Sequence, residues 1–187
     1  MTQKQSQILS TALTLFHQYG FSRTGVDKII STSNVAKMTF YKYFPSKTSL
    51  IEDCLKEESL LIQNDLTHRM NRVSGQAEKL KAFFQWHVEF SSSHHFNGCL
   101  FNKATFECDD EYGSIFKIIH RHKHWKLELV KNLLMELQVS DPATLAHLLV
   151  NMAEGMLVNA RFKTMDYLNG WTVIENLMSS HRVGLSA

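Results

Sequence analysis

Apolar residues recur along this chain in steps of three and four, the period of helices with one buried face. Ile8, Leu9, Ala12, Leu13, Phe16 and Tyr19 form the first such stripe. Gly20 stops it, at a position where a left-handed conformation is easily reached. Thr24 followed by Asp27 has the shape of a capping box, with Asp in place of the usual Glu or Gln, and predicts a short helix carrying Val26, Ile29 and Ile30 inward. Ser33-Asn34 reads as a tight turn, because Asn tolerates positive φ. A second short helix, about 36–44, ends before Pro45. Two short helices joined by a turn of three or four residues form the helix-turn-helix pattern.

The same period predicts a long helix from 46 to about 72, with Leu50, Ile51, Cys54, Leu55, Leu61, Ile62, Leu66 and Met70 inward. Gly75-Gln76 punctuates it, and an aromatic-rich helix follows over about 77–93. Asn97-Gly98 marks a turn before a short helix at 99–107, a break at 109–113 and a long helix over about 114–137. Asp141-Pro142 is a strong start, with the cap at Asp141 and proline at the first helical position, for a helix running to about 164. A last helix covers about 169–181. No strand pattern and no internal repeat is present. The expectation is an all-α chain of about nine helices. A three-helix unit over 1–47 is joined to a helical domain over 48–187.

A composition of 44% hydrophobic and 20% charged residues excludes a disordered or collagen-like chain. The apolar stretches are too short and too broken for a membrane span, and Met1 to Gln5 lacks the apolar core of a secretory signal. The three cysteines, Cys54, Cys99 and Cys108, form no CxxC pair, which points to a reducing compartment. A cytoplasmic protein without a membrane partner is expected. Net charge is informative only when divided. Residues 1–50 carry six basic side chains (Lys4, Arg23, Lys28, Lys37, Lys42, Lys47) against Asp27, a net of +5, whereas residues 51–187 carry a net of −3. A basic head on a mildly acidic body points to a polyanion at the head.

The run Gly20-Phe21-Ser22-Arg23-Thr24-Gly25-Val26-Asp27-Lys28-Ile29, continued by Asn34-Val35-Ala36-Lys37-Met38-Thr39-Phe40-Tyr41-Lys42-Tyr43-Phe44-Pro45-Ser46-Lys47, resembles the N-terminal DNA-binding domain of the tetracycline-repressor (TetR) family. The likeness covers roughly the first 50 residues; the remainder agrees mainly in helix count and length. Ile30 departs from the small residue usual in the family. Asn34 and Ala36 depart from the usual Gly and Ser, and Ala36 removes a possible hydroxyl contact to phosphate. The resemblance implies a regulator, most often a repressor. It would bind a palindromic double-stranded DNA operator as a homodimer and be released when a small molecule binds the C-terminal domain.

Alone, the aromatic run 40–44 is also what an amphipathic core helix looks like; the basic head, turn residues and ordered motif decide for DNA binding. A helix in the major groove presents its N-terminal side chains to base edges while its other face packs on the domain. Phe40 and Phe44 would face the core, leaving Lys37, Met38, Thr39, Tyr41, Lys42 and Tyr43 around the remaining circumference. Lys37 and Lys42 suit phosphates or guanine acceptors, and Met38 or Thr39 suits a thymine methyl. Tyr43 and Lys47 match family positions that hold phosphates, and Thr24 and Gly25 open the preceding helix toward the DNA backbone.

In the body, the resemblance implies an intersubunit four-helix bundle. Leu145, Leu148, Leu149, Met152 and Met156, then Trp171, Ile174, Leu177 and Met178, supply apolar stripes for it, with part of each serving the chain's own core. An effector pocket would draw on Phe83, Trp86, His87, Phe90, Phe101, Asn102, Phe106, Phe116, His120 and Trp125, residues that equally suit plain packing. The stretch 98–107 is similar to a segment in a branch of the family that includes electrophile-responsive repressors, so Cys99 or Cys108 is a possible sensor thiol. Lys103 would lower the pKa of Cys99, whereas Glu107, Asp109 and Asp110 would raise that of Cys108. A buried inert cysteine is the simpler expectation. His120 and His124 share a helix face, with His94 and His95 as possible further ligands. No zinc spacing accompanies them, and a solvated face explains them, so neither metal nor cofactor is expected. No nucleophile, base and orienting group come together in the sequence, so an enzyme is not expected.

Overall fold

The computed structural model describes residues 1–93, 96–108, 113–162 and 170–180. Among these residues it contains nine α-helices and one 3-10 turn, and no strand. The helices are α1 (Gln3–Tyr19), α2 (Val26–Thr32), α3 (Lys37–Tyr43), α4 (Lys47–Met70), α5 (Gln76–Ser92), α6 (Leu100–Glu107), α7 (Ser114–Glu136), α8 (Pro142–Asn159) and α9 (Gly170–Ser180). No helix among the described residues is long and apolar enough to cross a membrane. The chain divides into two compact units. The first holds residues 1–62 and 97–122, the second residues 63–96 and 123–187.

In the first unit, α1 packs against both α2 and α3. Thr2 caps α1 by accepting the Gln5 N–H at 3.3 Å, and Gly20 (φ 82°) ends it. Ile8, Leu9, Ala12, Leu15 and Phe16 are buried, but Tyr19 is exposed and Leu13 is only half-buried, unlike the expected stripe. Lys28 explains Tyr19: its ammonium lies 3.5 Å over the ring, a cation–π contact made at the surface.

A reciprocal cap starts α4. Ser49 N–H donates to Ser46 Oγ at 3.0 Å, and Ser46 N–H donates to Ser49 Oγ at 3.2 Å. Along α4, Cys54, Glu58, Ile62, Leu66 and Met70 are buried, each four residues on from the last. A step of four turns the helix about 40° past a full circle, so the buried stripe winds around the axis. Leu61 falls off that stripe and is exposed, and Glu58 takes an inward place, paired with His17 at 3.2 Å.

In the second unit, α5 packs on α8. Asp141 caps α8 by accepting the Thr144 N–H at 3.2 Å, with Pro142 in the first turn. That helix stops at Asn159 and gives way to the 3-10 turn Ala160–Phe162, short of the expected end at 164, which lies outside the described residues. Leu80, Phe83, Phe84 and Trp86 of α5, Leu145, Leu149 and Ala153 of α8, and Ile174 and Met178 of α9 are buried.

Candidate nucleic-acid interface

The head is built around a four-residue turn between α2 and α3. Asn34 takes φ 51°, the conformation its side chain tolerates better than most. Ser33 is buried and donates its hydroxyl to the Ile29 carbonyl at 2.7 Å, and Gln7 of α1 donates its side-chain amide to the Ser33 carbonyl at 2.9 Å. The turn is thus held from both sides. On α3 the phase is as expected from spacing, with Phe40 and Phe44 buried, their rings 6.1 Å apart. Met38 is 86% exposed; Lys37, Tyr41 and Lys42 are also exposed, and Thr39 and Tyr43 are half-buried.

The charged groups of the head differ in freedom. Lys37 lies 3.6 Å from Asp27 of α2, an exposed pair that holds neither side chain strongly. Lys47 donates its ammonium to the Phe21 carbonyl at 2.6 Å, which fixes the start of α4 against the turn after α1. Thr24 corrects the sequence expectation. It is fully buried; its hydroxyl donates to the Gly20 carbonyl at 2.7 Å and its amide to the Phe21 carbonyl at 3.3 Å. No capping box forms with Asp27, because Gly25 is the cap residue of α2 and makes no side-chain bond. Thr24 therefore shapes the loop, and its side chain presents nothing to DNA.

Sequence reasoning missed what holds this loop from outside the head. The Glu107 carboxylate, at the end of α6, accepts the Ser22 N–H at 2.9 Å, and Lys103 donates its ammonium to the His17 carbonyl at 2.7 Å. One turn of α6 thus places a cation at the negative end of α1 and an anion on the amide that follows it. Farther back on α6, Phe101 stacks on His122 of α7, centroids 3.7 Å apart, and the His122 Nδ1 is 2.9 Å from Ser59 Oγ of α4. His122 is buried, so the solvated face expected for the histidine run holds only for His120 and His124. His94 and His95 lie outside the described residues, as do Asp109 and Asp110.

Residues 8–54 match the sequence profile of the bacterial regulatory proteins of the tetR family. The HTH-type transcriptional regulator YjdC of Escherichia coli is 25% identical over 163 residues, 83% of this chain and 84% of that protein. Residues 8–54 thus carry the N-terminal domain of the TetR family. An uncharacterized HTH-type regulator of Bacillus subtilis, YuxN, is 43% identical over 51 residues, 27% of this chain but only 18% of that relative. The crystal structure of the TetR-family regulator SCO4454 from Streptomyces coelicolor has the same fold, with a TM-score of 0.86, 22% identity and 95% of each chain covered.

The TetR fold distributes the expected pocket residues between its two units. Phe83, Trp86, His87 and Phe90 come together on α5 in the second unit, where Trp125 also lies; Phe101, Asn102, Phe106, Phe116 and His120 belong to the first. Phe106 is 89% exposed, and Phe116 and His120 are exposed as well, so none of these three lines an interior. Cys99 is buried. Cys108 is half-buried and lines a cavity of about 250 Å³ with Phe21, Ser22, Lys47 and Glu107. The expected dimer stripes also divide. Leu145, Leu149, Met156, Ile174 and Met178 are buried within the chain itself, because the same faces cover its own core. Leu148 and Met152 are exposed, Trp171 and Leu177 are half-buried, and Val158 and Val173, outside the expected stripes, are exposed.

Four titratable groups meet inside the second unit. Lys126 of α7 is 2% exposed and bonds the Glu154 carboxylate of α8, with Lys123 3.4 Å away on the other oxygen. Burial pushes Glu154 up, but the two ammonium groups outweigh it and hold the carboxyl at about 2. Burial, then the Lys126 charge, pushes His87 down to about 4 from 6.5. Neutral His87 therefore contributes stability that is complete above about pH 6.5 and is lost as pH falls toward 4, up to about 3 kcal/mol. Urea midpoints at pH 7 and pH 4.5 should fall farther for the natural protein than for His87→Phe; parallel falls would contradict this assignment.

Proposed function

We propose that this TetR-family regulator is a repressor that occupies a palindromic operator as a homodimer and leaves it when a small molecule binds the C-terminal domain. The observation that carries the reading is the exposed face of α3. Lys37, Met38, Tyr41 and Lys42 stand clear of a helix whose opposite face is anchored by Phe40 and Phe44. A recognition helix needs that division between held and offered sides. Thr39, Tyr43, Lys47 and the exposed Gly25 at the start of α2 border the same face. Residues 1–47 act as the DNA-binding domain and 48–187 as the ligand-binding and dimerisation domain. Leu148, Met152, Val158 and Val173 supply the dimer contact, and the cytoplasm is the working compartment. Two half-sites about 34–36 Å apart set the spacing the dimer must match, and an effector that prefers another spacing releases the DNA by population shift.

Gel shifts on palindromic fragments at two salt concentrations test this. Specific binding should weaken with a log–log slope near −0.9 per phosphate contact; equal affinity for every sequence would end the proposal. Lys37→Ala or Met38→Ala should change the preferred base by about 1–3 kcal/mol of discrimination. Tyr43→Ala and Lys47→Ala should weaken binding on all sequences, and the loss of one phosphate contact reduces the slope by about 1. An unchanged slope for Lys47→Ala would confine Lys47 to its bond with the Phe21 carbonyl.

A further inference from the structure

The core of the second unit buries a polar atom that neither the head nor the dimer contact uses. His87 of α5 is fully buried, and its Nδ1 lies 2.8 Å from the Phe83 carbonyl. A carbonyl only accepts, so Nδ1 carries the proton and Nε2 presents a lone pair. Among the described residues no donor reaches Nε2. Rings frame it. Phe83 stands 4.4 Å from the imidazole and Trp86 4.8 Å, edge-on; Phe90 stacks on Trp86 at 4.8 Å. The ring series continues through Phe84 to Trp171, whose Nε1 is likewise buried with no acceptor among the described residues.

The charges that face His87 are already matched. Lys126 of α7 is bonded to Glu154 of α8, and Lys123, the second partner of Glu154, is 40% exposed. A carboxylate has no proton to offer Nε2, and a cation would meet Lys126. A pure hydrocarbon leaves the lone pair unsatisfied, which is costly in an apolar surround. We infer that the ring-framed core around His87 binds an uncharged aromatic molecule bearing a hydroxyl or N–H group, seated with that donor on Nε2. The inference rests on the effector reading above and supplies the chemistry of the effector.

Calorimetry on the full-length protein at pH 7 tests it with three probes of one shape: 2-naphthol, 2-methoxynaphthalene and 2-naphthoate. 2-Naphthol should bind about tenfold tighter than its methyl ether or the carboxylate, since a site built to take a hydrogen bond rejects an analogue lacking the donor. His87→Phe keeps a ring and deletes the acceptor, so naphthol and ether should converge to within about twofold. If that variant does not fold, the natural protein still decides. The Nε2 nitrogen resonance of His87 should move upfield with naphthol and stay in place with the ether. Equal affinity for naphthol and ether, tightest binding of naphthoate, or no binding of any probe overturns the inference. The effector reading is judged separately, by whether any member of a diverse small-molecule panel lowers operator affinity.

Discussion

Lys126→Met should lower the unfolding free energy by about 3–5 kcal/mol, the usual cost of stripping one partner from a buried ion pair. Only 2% of Lys126 is exposed, and its ammonium is bonded to Glu154 across α7 and α8. Without it, the Glu154 carboxylate keeps, among the described residues, only the Lys123 ion pair, at 3.4 Å and partly in solvent, so burial drives its pKa upward. The sign with pH follows. In the natural protein Glu154 adds stability that is complete above its ordinary 4.5 and fades as pH falls to about 2; in the variant that contribution vanishes and the acid limb shifts to higher pH. Lys126→Met with Glu154→Leu should recover most of the loss, because apolar residues of similar volume replace a buried pair at little cost. Urea unfolding of all four corners of the cycle reads the coupling. A single variant within about 1 kcal/mol of the natural protein would show the pair to be solvated, and a double variant as unstable as the single would show that the loss is not that of an unpaired buried charge.

The second large effect belongs to Gly20→Ala. Gly20 has φ 82° and ψ 174°, a region open almost only to glycine, so alanine there costs about 1–3 kcal/mol in backbone strain. A Cβ would also lie 2.6 Å from a Glu107 carboxylate oxygen and displace the group that accepts the Ser22 amide. The side chain of Glu107 can swing away, so the contact itself is cheap to relieve; the loop loses its partner in doing so. Reduced thermal stability is therefore expected together with faster hydrogen exchange at Ser22. Adding Glu107→Ala should not restore exchange protection. Unchanged protection at Ser22 in Gly20→Ala would contradict the role given to Glu107.

What the sequence made legible was local. Phe40 and Phe44 four residues apart, Asn34 in the turn and Asp141-Pro142 at a helix start all act within a few residues, and each appears as expected. Misplaced residues depended on partners far along the chain. Thr24 looks like a cap until Gly20 and Leu15 are found to accept its hydroxyl. Leu61 fits a straight stripe and is lost because the stripe winds. His122 counted as one of a solvated run until Phe101 and Ser59 closed on it. Nothing in the spacing of Lys126 and Glu154, 28 residues apart, announces a buried pair. At the candidate interface the exposed positions of α3 were readable from period alone, whereas the groups that steady the loop came from α6.

That support from α6 bears on how such a regulator can be recombined. A hybrid joining residues 1–47 to an unrelated body would carry the proposed recognition surface but leave behind Lys103 and Glu107, the donor to the His17 carbonyl and the acceptor for the Ser22 amide. Portable specificity in this scaffold calls for a cut that transplants α6 along with the head, or a recipient that already owns a lysine and a glutamate one helical turn apart at the same place.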